Sequence, residues 1–293
     1  MTELLKNCRL CPRQCGVDRL SGQAGRCHAT GDTVRVARVA PHYWEEPCVS
    51  GERGSGAVFF GGCNLGCVYC QNSRISRSAA GREMTVSELS DSFRRLEADG
   101  VHNINLVTPT HYLPQICMAI DSAGVHLPYV YNTSGYELAQ SLELLRGRVG
   151  VFLTDFKYAD SRLADRLSSA PDYPRVATDA LDKMVDIAGD ARFDDDGIMQ
   201  RGVIVRHLVL PGHSDDSMRV IEHLYDRYGD SIYISIMNQY TPMDGMAGEL
   251  SRKVGEREYE RVIDFAVGIG VENGFIQEGE TADDSFIPSF DLE

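Results

Sequence analysis

Residues 57–70 read Ala-Val-Phe-Phe-Gly-Gly-Cys-Asn-Leu-Gly-Cys-Val-Tyr-Cys, a short apolar run followed by a glycine pair and a C-x3-C-x2-C motif. The apolar run predicts a buried β-strand, and the loop after it carries Cys63, Cys67 and Cys70. Thiolates are soft ligands that bind iron–sulfur clusters, and short spacings let three sulfurs reach one cluster. Because no fourth ligand follows nearby, one iron would stay free for a substrate or cofactor. We expect an open [4Fe–4S] cluster here, with a zinc site or three structural cysteines as the alternatives.

A second group of cysteines lies near the N-terminus. Cys8, Cys11 and Cys15 are closely spaced, and Cys27 follows twelve residues later. Four cysteines complete a closed tetrahedral site, which suits either zinc or a second, fully ligated [4Fe–4S] cluster. We favour iron–sulfur, although the spacing alone does not decide between the two metals. The remaining two cysteines are expected to be buried thiols: Cys48 and Cys117.

From residue 57 onward, short apolar runs alternate with amphipathic stretches, which predicts a parallel sheet wrapped by helices. A capping box at residues 85–88 starts one helix, and apolar stripes at helical spacing indicate others over 138–145, 218–228 and 256–269. In such folds the chemistry collects at the carboxyl ends of the strands, so we expect a pocket there. The six predicted strands are 57–60, 104–108, 127–132, 149–155, 202–210 and 232–237.

The cysteine motif carries a resemblance to a known family. C-x3-C-x-aromatic-C directly after a first strand resembles the signature of radical S-adenosylmethionine (radical SAM) enzymes, and the segment is most similar to the pyruvate formate-lyase activating enzyme branch. The resemblance implies an α/β fold, a partial (β/α)6 TIM-type barrel over residues 51–293, with an N-terminal Cys-rich metal-binding extension over residues 1–50. It also implies that Cys63, Cys67 and Cys70 hold the cluster and that Tyr69 contacts the adenine of S-adenosylmethionine (SAM).

Three further segments resemble the same family, and two depart from it. Residues 132–135, 155–157 and 206–212 are similar to its Thr-Asn-Gly, Asp-hydrophobic-Lys and Arg-Tyr-Val-Val-Val-Pro-Gly segments. The Gly-Gly-Glu that binds the cofactor's amino group is replaced by Thr-Pro-Thr-His at 108–111, and the Pro-Tyr-His segment reads Gln-Tyr-Thr-Pro at 239–242. The resemblance implies that the cofactor-binding residues are Tyr69, Asn72, Thr108, Thr110, Asn132, Ser134, Asp155, Lys157 and His207, and that the catalytic candidates are Arg206, Gln239 and Tyr240.

The charge balance bears on the partners. The chain has 29 basic and 43 acidic residues and a net charge of −14, so its surface repels phosphate groups. We therefore expect neither a nucleic-acid nor a membrane partner. The sequence has no apolar run long enough to span a membrane, and the first residues lack the apolar core of a signal peptide. We expect a cytoplasmic protein.

The resemblance also implies an activity. A reduced cluster would cleave SAM to methionine and a 5′-deoxyadenosyl radical that abstracts a substrate hydrogen, with flavodoxin or ferredoxin as the electron donor. The most similar branch implies a glycine of a glycyl-radical enzyme as the substrate, and another peptide or a small metabolite are the alternatives. A non-enzymatic iron–sulfur or zinc protein is the alternative from a different class, and the missing fourth ligand beside Cys70 argues against it.

Overall fold

The computed structural model describes residues 1–78, 80–277 and 290. Its strands are β1 (Val34–His42), β2 (Ser55–Phe60), β3 (Arg82–Met84), β4 (Ile104–Val107), β5 (Tyr129–Thr133), β6 (Val151–Asp155), β7 (Arg192–Phe193), β8 (Met199–Leu208), β9 (Tyr233–Met237) and β10 (Gly274–Ile276). Its helices are α1 (Pro47–Ser50), α2 (Ser73–Ser76), α3 (Val86–Ala98), α4 (Leu113–Ala123), α5 (Ala139–Leu142), α6 (Ser161–Ser168), α7 (Tyr173–Ala188), α8 (Ser214–Tyr228) and α9 (Glu256–Gly268).

The strands form one sheet in the order β10-β9-β8-β6-β5-β4-β2-β1-β3, with β7 paired to β8 at its side. The run from β2 to β10 is parallel, whereas β1 pairs antiparallel with both β2 and β3. Among the described residues the outer strands β10 and β3 do not pair, so the sheet is not closed by hydrogen bonds. This α/β architecture with an open, mostly parallel sheet confirms the predicted fold class.

The six predicted strands are confirmed as β2, β4, β5, β6, β8 and β9. The predicted capping box is also present, since Thr85 Oγ1 accepts from the Glu88 N–H and the Glu88 side chain accepts from the Thr85 N–H. Helix α4 was not predicted, because nearly all of its first turns are buried and it therefore lacks an apolar stripe beside a polar one.

One face of the sheet carries an apolar layer beneath a polar one. Val130, Leu153 and Ile204 pack against Cys48 and Val49 of α1. The short helix α1 thus fills the space beneath the strand ends. Because side chains alternate along a strand, the next residues on that face of the same strands point the same way. These residues are polar: Asn132, Asp155 and Arg206.

The first fifty residues contribute to this sheet, since β1 pairs with β2 from Val36 to His42. The predicted division at residue 50 stays a prediction. The predicted barrel region also includes residues 79, 278–289 and 291–293, which lie outside the described residues. Both cysteines expected to be buried thiols, Cys48 and Cys117, are buried and free. In the ranges that are described, no helix combines the length and apolarity needed to cross a membrane.

Candidate active site

The three motif cysteines lie in the loop between β2 and α2. Gly62 and Gly66 adopt left-handed backbone conformations in this loop, with φ of 90° and 77°, which glycine takes without steric cost. A Cβ at Gly62 would lie 2.3 Å from the carbonyl oxygen of Cys27, so the loop packs directly on the N-terminal module. The side chains of Cys63, Cys67 and Cys70 all line one cavity.

The sulfur atoms have few polar neighbours. The Ser168 hydroxyl donates to Cys67 Sγ at 3.1 Å, and Ser76 Oγ lies 3.4 Å from Cys70 Sγ. Burial raises the pKa of the Cys63 thiol to about 12, so this thiol is neutral at pH 7 when no metal is bound. Because a metal binds the thiolate, cluster assembly releases protons from this loop.

The cavity, of about 360 Å³, lies at the carboxyl ends of the strands. Its volume is in the range of small-molecule sites, roughly 300–1,000 Å³. The cysteines line it together with polar side chains from β5, β6, β8 and the loops that follow the strands. The structure brings most of the predicted site residues together there: Tyr69, Asn72, Thr108, Asn132, Ser134, Asp155, Lys157, Arg206 and Gln239.

Three predicted site residues do not line this cavity. Thr110 is buried and donates from Oγ1 to Glu137 at 2.5 Å. His207 faces the opposite side of β8, because its neighbour on the strand points inward. The Tyr240 hydroxyl donates to the carbonyl oxygen of Leu250 at 2.7 Å, which holds this side chain away from the cavity.

Arg206 is the centre of a charged network on the cavity floor. Its Nε donates to Asp155 at 3.2 Å and its Nη2 donates to Asn132 at 2.7 Å. Its Nη1 donates to Glu45 at 3.0 Å, and Lys157 Nζ donates to the second Asp155 oxygen at 2.6 Å. Burial acts to raise the pKa of Asp155, but Lys157 and Arg206 hold it below its usual value. Asp155 is therefore a carboxylate at neutral pH.

Two carboxylates that the sequence analysis missed enter the cavity from the segment before α1. Glu45 Oε1 accepts from Asn105 at 2.9 Å and from Asn132 at 3.1 Å. Glu46 is 8% exposed and lines the cavity, and its Oε2 has no hydrogen-bond partner among the described residues. Burial raises the pKa of Glu46. In the sequence, these two residues are only an acidic pair before Pro47. That pattern marks the start of a helix and does not indicate a binding site.

Thr108 has an unusual backbone at the edge of the cavity. Its φ is 60°, in the left-handed region that a β-branched residue rarely adopts. Its N–H donates to the carbonyl oxygen of Asn132 at 2.9 Å, which ties this turn to β5. Strain of this kind persists where the surrounding structure fixes the backbone, and it is concentrated at functional sites. The Thr108 side chain lines the cavity in a position where glycine would be less strained.

Glu137 is a third carboxyl residue that the sequence analysis missed, and it is buried. Its Oε1 accepts from the hydroxyls of Thr110 and Thr133, each at 2.5 Å, and from Tyr131 at 3.3 Å. Burial raises its pKa to about 7, against the lowering effect of these three donors. The group sits behind the strand ends and does not line the cavity, so it supports the turn that carries Thr108.

Tyr69 lines the cavity beside the last two motif cysteines. Its hydroxyl lies 2.7 Å from that of Tyr158, which in turn lies 2.7 Å from Ser168 Oγ. Because Ser168 also donates to Cys67 Sγ, this chain of hydroxyls ends on a motif cysteine. The network fixes the Tyr69 ring at the cavity wall, and its contact with adenine stays a prediction.

The four N-terminal cysteines lie around a second, smaller cavity. Cys8, Cys11, Cys15 and Cys27 line it together with other residues that include Arg19 and His111. In the described ranges, no three His, Cys, Asp or Glu side chains are grouped closely enough to ligate a single metal ion. Metal binding by these four residues stays a prediction.

The cavity residues fit an iron–sulfur cluster and SAM. Three soft thiols lie at one end, and no fourth cysteine of the described chain lines the cavity, as an open cluster requires. Donors and acceptors from Asn132, Ser134 and Lys157 lie at the strand ends, where an amino-acid moiety and a ribose need them.

Comparison with known proteins agrees with this arrangement. The family model described as the radical SAM superfamily matches residues 57–224, more than half of the chain. An uncharacterized protein of Methanocaldococcus jannaschii is 27% identical over 275 residues, covering 90% of this chain and 75% of that protein.

Solved structures show the fold alone, because their sequence identity is low. Streptococcus suis SuiB bound to the precursor peptide SuiA has a TM-score of 0.51 at 12% identity, covering 75% of this chain and 47% of SuiB. SuiB solved in a further crystal structure gives a TM-score of 0.50 at 13% identity, with 75% and 48% covered. The chain thus spans about half the length of SuiB. From the match over the cysteine loop and the strands that frame its cavity, the chain belongs to the radical SAM superfamily and is an enzyme that binds a [4Fe–4S] cluster and SAM.

Proposed function

We propose that this enzyme uses SAM to abstract a hydrogen atom from a peptide substrate, with a glycine of a glycyl-radical enzyme as the first candidate. The cluster and SAM, when bound, supply one-electron cleavage and a radical able to abstract hydrogen. The observation that carries the peptide assignment is Glu46, a carboxyl residue that lines the cavity wall and whose Oε2 has no hydrogen-bond partner among the described residues. A peptide offers N–H groups, which donate to this carboxyl once its side chain turns toward the cavity.

The position of Glu46 separates it from the cysteine loop. Ser235 on β9 is close enough to lower the pKa of Glu46, and four strands of the sheet lie between β9 and β2. The other two floor carboxylates, Glu45 and Asp155, form ion pairs with Arg206 and Lys157, whereas Glu46 forms no ion pair among the described residues. We assign Glu46 to the substrate and the residues nearer the loop to SAM.

The mouth of the cavity supports a substrate larger than a metabolite. Trp44 is 59% exposed and lines the cavity. A large aromatic side chain at the edge of a pocket offers apolar area to a bound chain. The neighbour SuiB was solved with a precursor peptide, which is in keeping with a peptide here.

Each remaining residue has a proposed role. Cys63, Cys67 and Cys70 hold the cluster, and Tyr69 contacts adenine. Arg206 positions Asp155 and Asn132, because its guanidinium donates to both. Lys157 and Ser134 face the same space and bind the polar groups of SAM. Asn72 and Thr108 line the cavity wall and bind SAM. Gln239 lies on the same wall and is a catalytic candidate.

Isotope transfer tests this proposal. Reconstituted enzyme, dithionite and SAM are mixed with candidate glycyl-radical proteins, or with peptides, whose glycines carry α-deuterium. We expect 5′-deoxyadenosine one mass unit heavier and, for a true partner, a glycine-centred EPR signal. The Glu46→Gln variant should still form unlabelled 5′-deoxyadenosine and lose most of the labelled product. If 5′-deoxyadenosine forms without label from every glycine-deuterated partner, the glycine assignment is wrong, and if uniformly deuterated peptides also give no label, the peptide assignment is wrong and a small metabolite is the substrate.

A further inference from the structure

Arg19 is a buried cation with too few partners. It is 1% exposed, and its Nη1 donates to the carbonyl oxygen of His111 at 2.5 Å. Its Nε and Nη2 have no hydrogen-bond partner in the described part of the chain. The guanidinium also lies over the Tyr112 ring, 5.5 Å from its centroid. A guanidinium stays charged at any physiological pH, and an uncompensated buried charge is strongly destabilising.

The missing negative charge lies in the same cavity. Arg19 lines the second cavity together with four cysteines, and no Asp or Glu lines it. Once four cysteines bind a metal as thiolates, the centre is anionic whichever metal it holds. Such a centre supplies the counter-charge that Arg19 lacks. The cysteines that line this cavity are Cys8, Cys11, Cys15 and Cys27.

This module is attached to the active-site loop by specific contacts. Arg13, between Cys11 and Cys15, donates to the carbonyl oxygens of Asn64 at 2.9 Å and Leu65 at 3.2 Å. Both carbonyls lie between the first two motif cysteines. Arg13 also donates to the carbonyl oxygens of Ser168 and Ser169 at the end of α6, where the Ser168 hydroxyl contacts Cys67 Sγ.

Two further contacts join the N-terminal module to the glycine pair that precedes Cys63. The Cys27 carbonyl oxygen packs on Gly62, the residue before Cys63. His111, which lines the second cavity, has its Nε2 2.8 Å from the carbonyl oxygen of Gly61. The two cysteine groups are therefore separated by a short path through packed backbone.

We propose that Cys8, Cys11, Cys15 and Cys27 bind a second [4Fe–4S] cluster, with Arg19 as its buried counter-charge, and that this cluster passes electrons to the active-site cluster. The relay rests on the proposed function, whereas the metal site stands independently of it. In this relay, a low-potential iron–sulfur or flavin protein gives one electron to the second cluster, here called the front cluster, at Cys8, Cys11, Cys15 and Cys27. That electron moves to the cluster at Cys63, Cys67 and Cys70 and then to SAM, whose C5′–S bond breaks to leave methionine and a carbon radical.

The four thiols that line this cavity are the ligands that a closed [4Fe–4S] cluster requires. Zinc, the alternative, takes four sulfurs at about 2.3 Å from one ion. Among the described residues the four thiols are not grouped around a single ion, and the same holds for Cys63, Cys67 and Cys70. Metal analysis therefore decides between the cluster and zinc.

Cysteine variants of the full chain isolate each site. The triple variant Cys63→Ala, Cys67→Ala, Cys70→Ala leaves the four N-terminal cysteines and the two buried thiols Cys48 and Cys117, and after anaerobic reconstitution we expect iron, sulfide and a dithionite-reducible EPR signal. Further change of Cys11→Ala and Cys27→Ala should remove them. Zinc in place of iron, or no metal in a folded triple variant, would overturn the second cluster. Circular dichroism of each variant establishes folding.

The counter-charge has its own readout. In the triple-variant background, Arg19→Met should lower the reduction potential of the front cluster, because loss of a buried cation disfavours the more negative reduced state. Arg19→Lys should restore much of it, and Arg9→Met, at an exposed position of the same module, should leave it unchanged. A potential unaffected by Arg19→Met contradicts the counter-charge role.

The relay is tested with the active-site cysteines intact. A Cys11→Ala, Cys27→Ala variant should cleave SAM at least tenfold more slowly with reduced flavodoxin, while dithionite, which is small enough to reach the open cluster, still supports turnover. Equal rates with flavodoxin would overturn the relay and leave the second cluster standing.

Discussion

Arg206 Nη1 lies 3.0 Å from Glu45 Oε2, which joins strand β8 to the segment before α1 across the cavity floor. Both side chains are largely buried, with exposed fractions of 14% and 8%. Glu45 is thus one of two carboxylates that compensate Arg206, and Asp155 is the other. A residue outside the barrel strands therefore fixes the orientation of the central cation of the site.

Removal of Glu45 should destabilise the fold. Glu45→Ala leaves a buried guanidinium with one carboxylate, and breaking a buried ion pair costs about 3–5 kcal/mol when no other partner remains. Because Asp155 still compensates Arg206, we expect a loss of roughly 2–3 kcal/mol in the free energy of unfolding, measured by urea denaturation. Glu45→Gln keeps the size of the side chain and one acceptor oxygen, so the loss in the free energy of unfolding should be smaller. Equal stability of Glu45→Ala and the wild type would contradict the pairing.

The Thr108→Gly variant distinguishes the effect of Thr108 on stability from its effect on SAM binding. The change relieves a left-handed threonine, whose strain is of order 1–3 kcal/mol, and part of the gain is offset by the entropy of glycine. We expect the free energy of unfolding to rise by about 1 kcal/mol, whereas Thr154→Gly, at an ordinary strand position, should lower it. SAM affinity, measured by equilibrium binding to the reconstituted enzyme, should fall severalfold. Unchanged affinity in Thr108→Gly would remove Thr108 from the SAM site.

Glu137 predicts a pH dependence of stability. Burial raises its pKa from 4.5 to about 7, so the folded chain binds this proton more tightly than the unfolded chain. The stabilisation is full below pH 4.5 and is lost as the pH rises through 7. At about 1.4 kcal/mol per pKa unit, wild type should lose roughly 3 kcal/mol relative to Glu137→Gln between pH 4.5 and 8. Parallel stability curves of the two proteins would show that Glu137 has an ordinary pKa.

Glu46→Gln should stabilise the substrate-free enzyme. The change removes a buried carboxyl that has no donor on one oxygen among the described residues, and such an unsatisfied group costs about 1–3 kcal/mol. We expect a gain of that size in the free energy of unfolding, measured by urea denaturation. Glu45→Gln, whose carboxylate is fully paired, serves as the matched control and should not stabilise. A loss of stability in Glu46→Gln would indicate a partner in the free enzyme and would weaken the substrate assignment.

Local pattern predicted the strands and the cysteine loop, because apolar runs and ligand spacing are properties of neighbouring residues. Local pattern did not predict the features that depend on contacts between distant parts of the chain. Glu45 and Glu46 reach the cavity only because α1 fills the space under the strand ends, and no periodicity marks that placement. Thr110 lies outside the cavity because its hydroxyl donates to Glu137, and the sequence does not indicate that Glu137 is buried. His207 lies outside the cavity because side chains alternate along β8 and its neighbour Arg206 faces inward.

The most direct measurement of the account is formation of 5′-deoxyadenosine by the anaerobically reconstituted enzyme with dithionite and SAM, at a measured iron and sulfide content. The account predicts 5′-deoxyadenosine and methionine in equal amounts from the wild type, and neither from Cys67→Ala although its front cysteines still bind iron. A fully loaded wild-type enzyme that forms no 5′-deoxyadenosine, or a Cys67→Ala variant that forms it at the wild-type rate, would contradict the assignment of Cys63, Cys67 and Cys70 as the reactive centre.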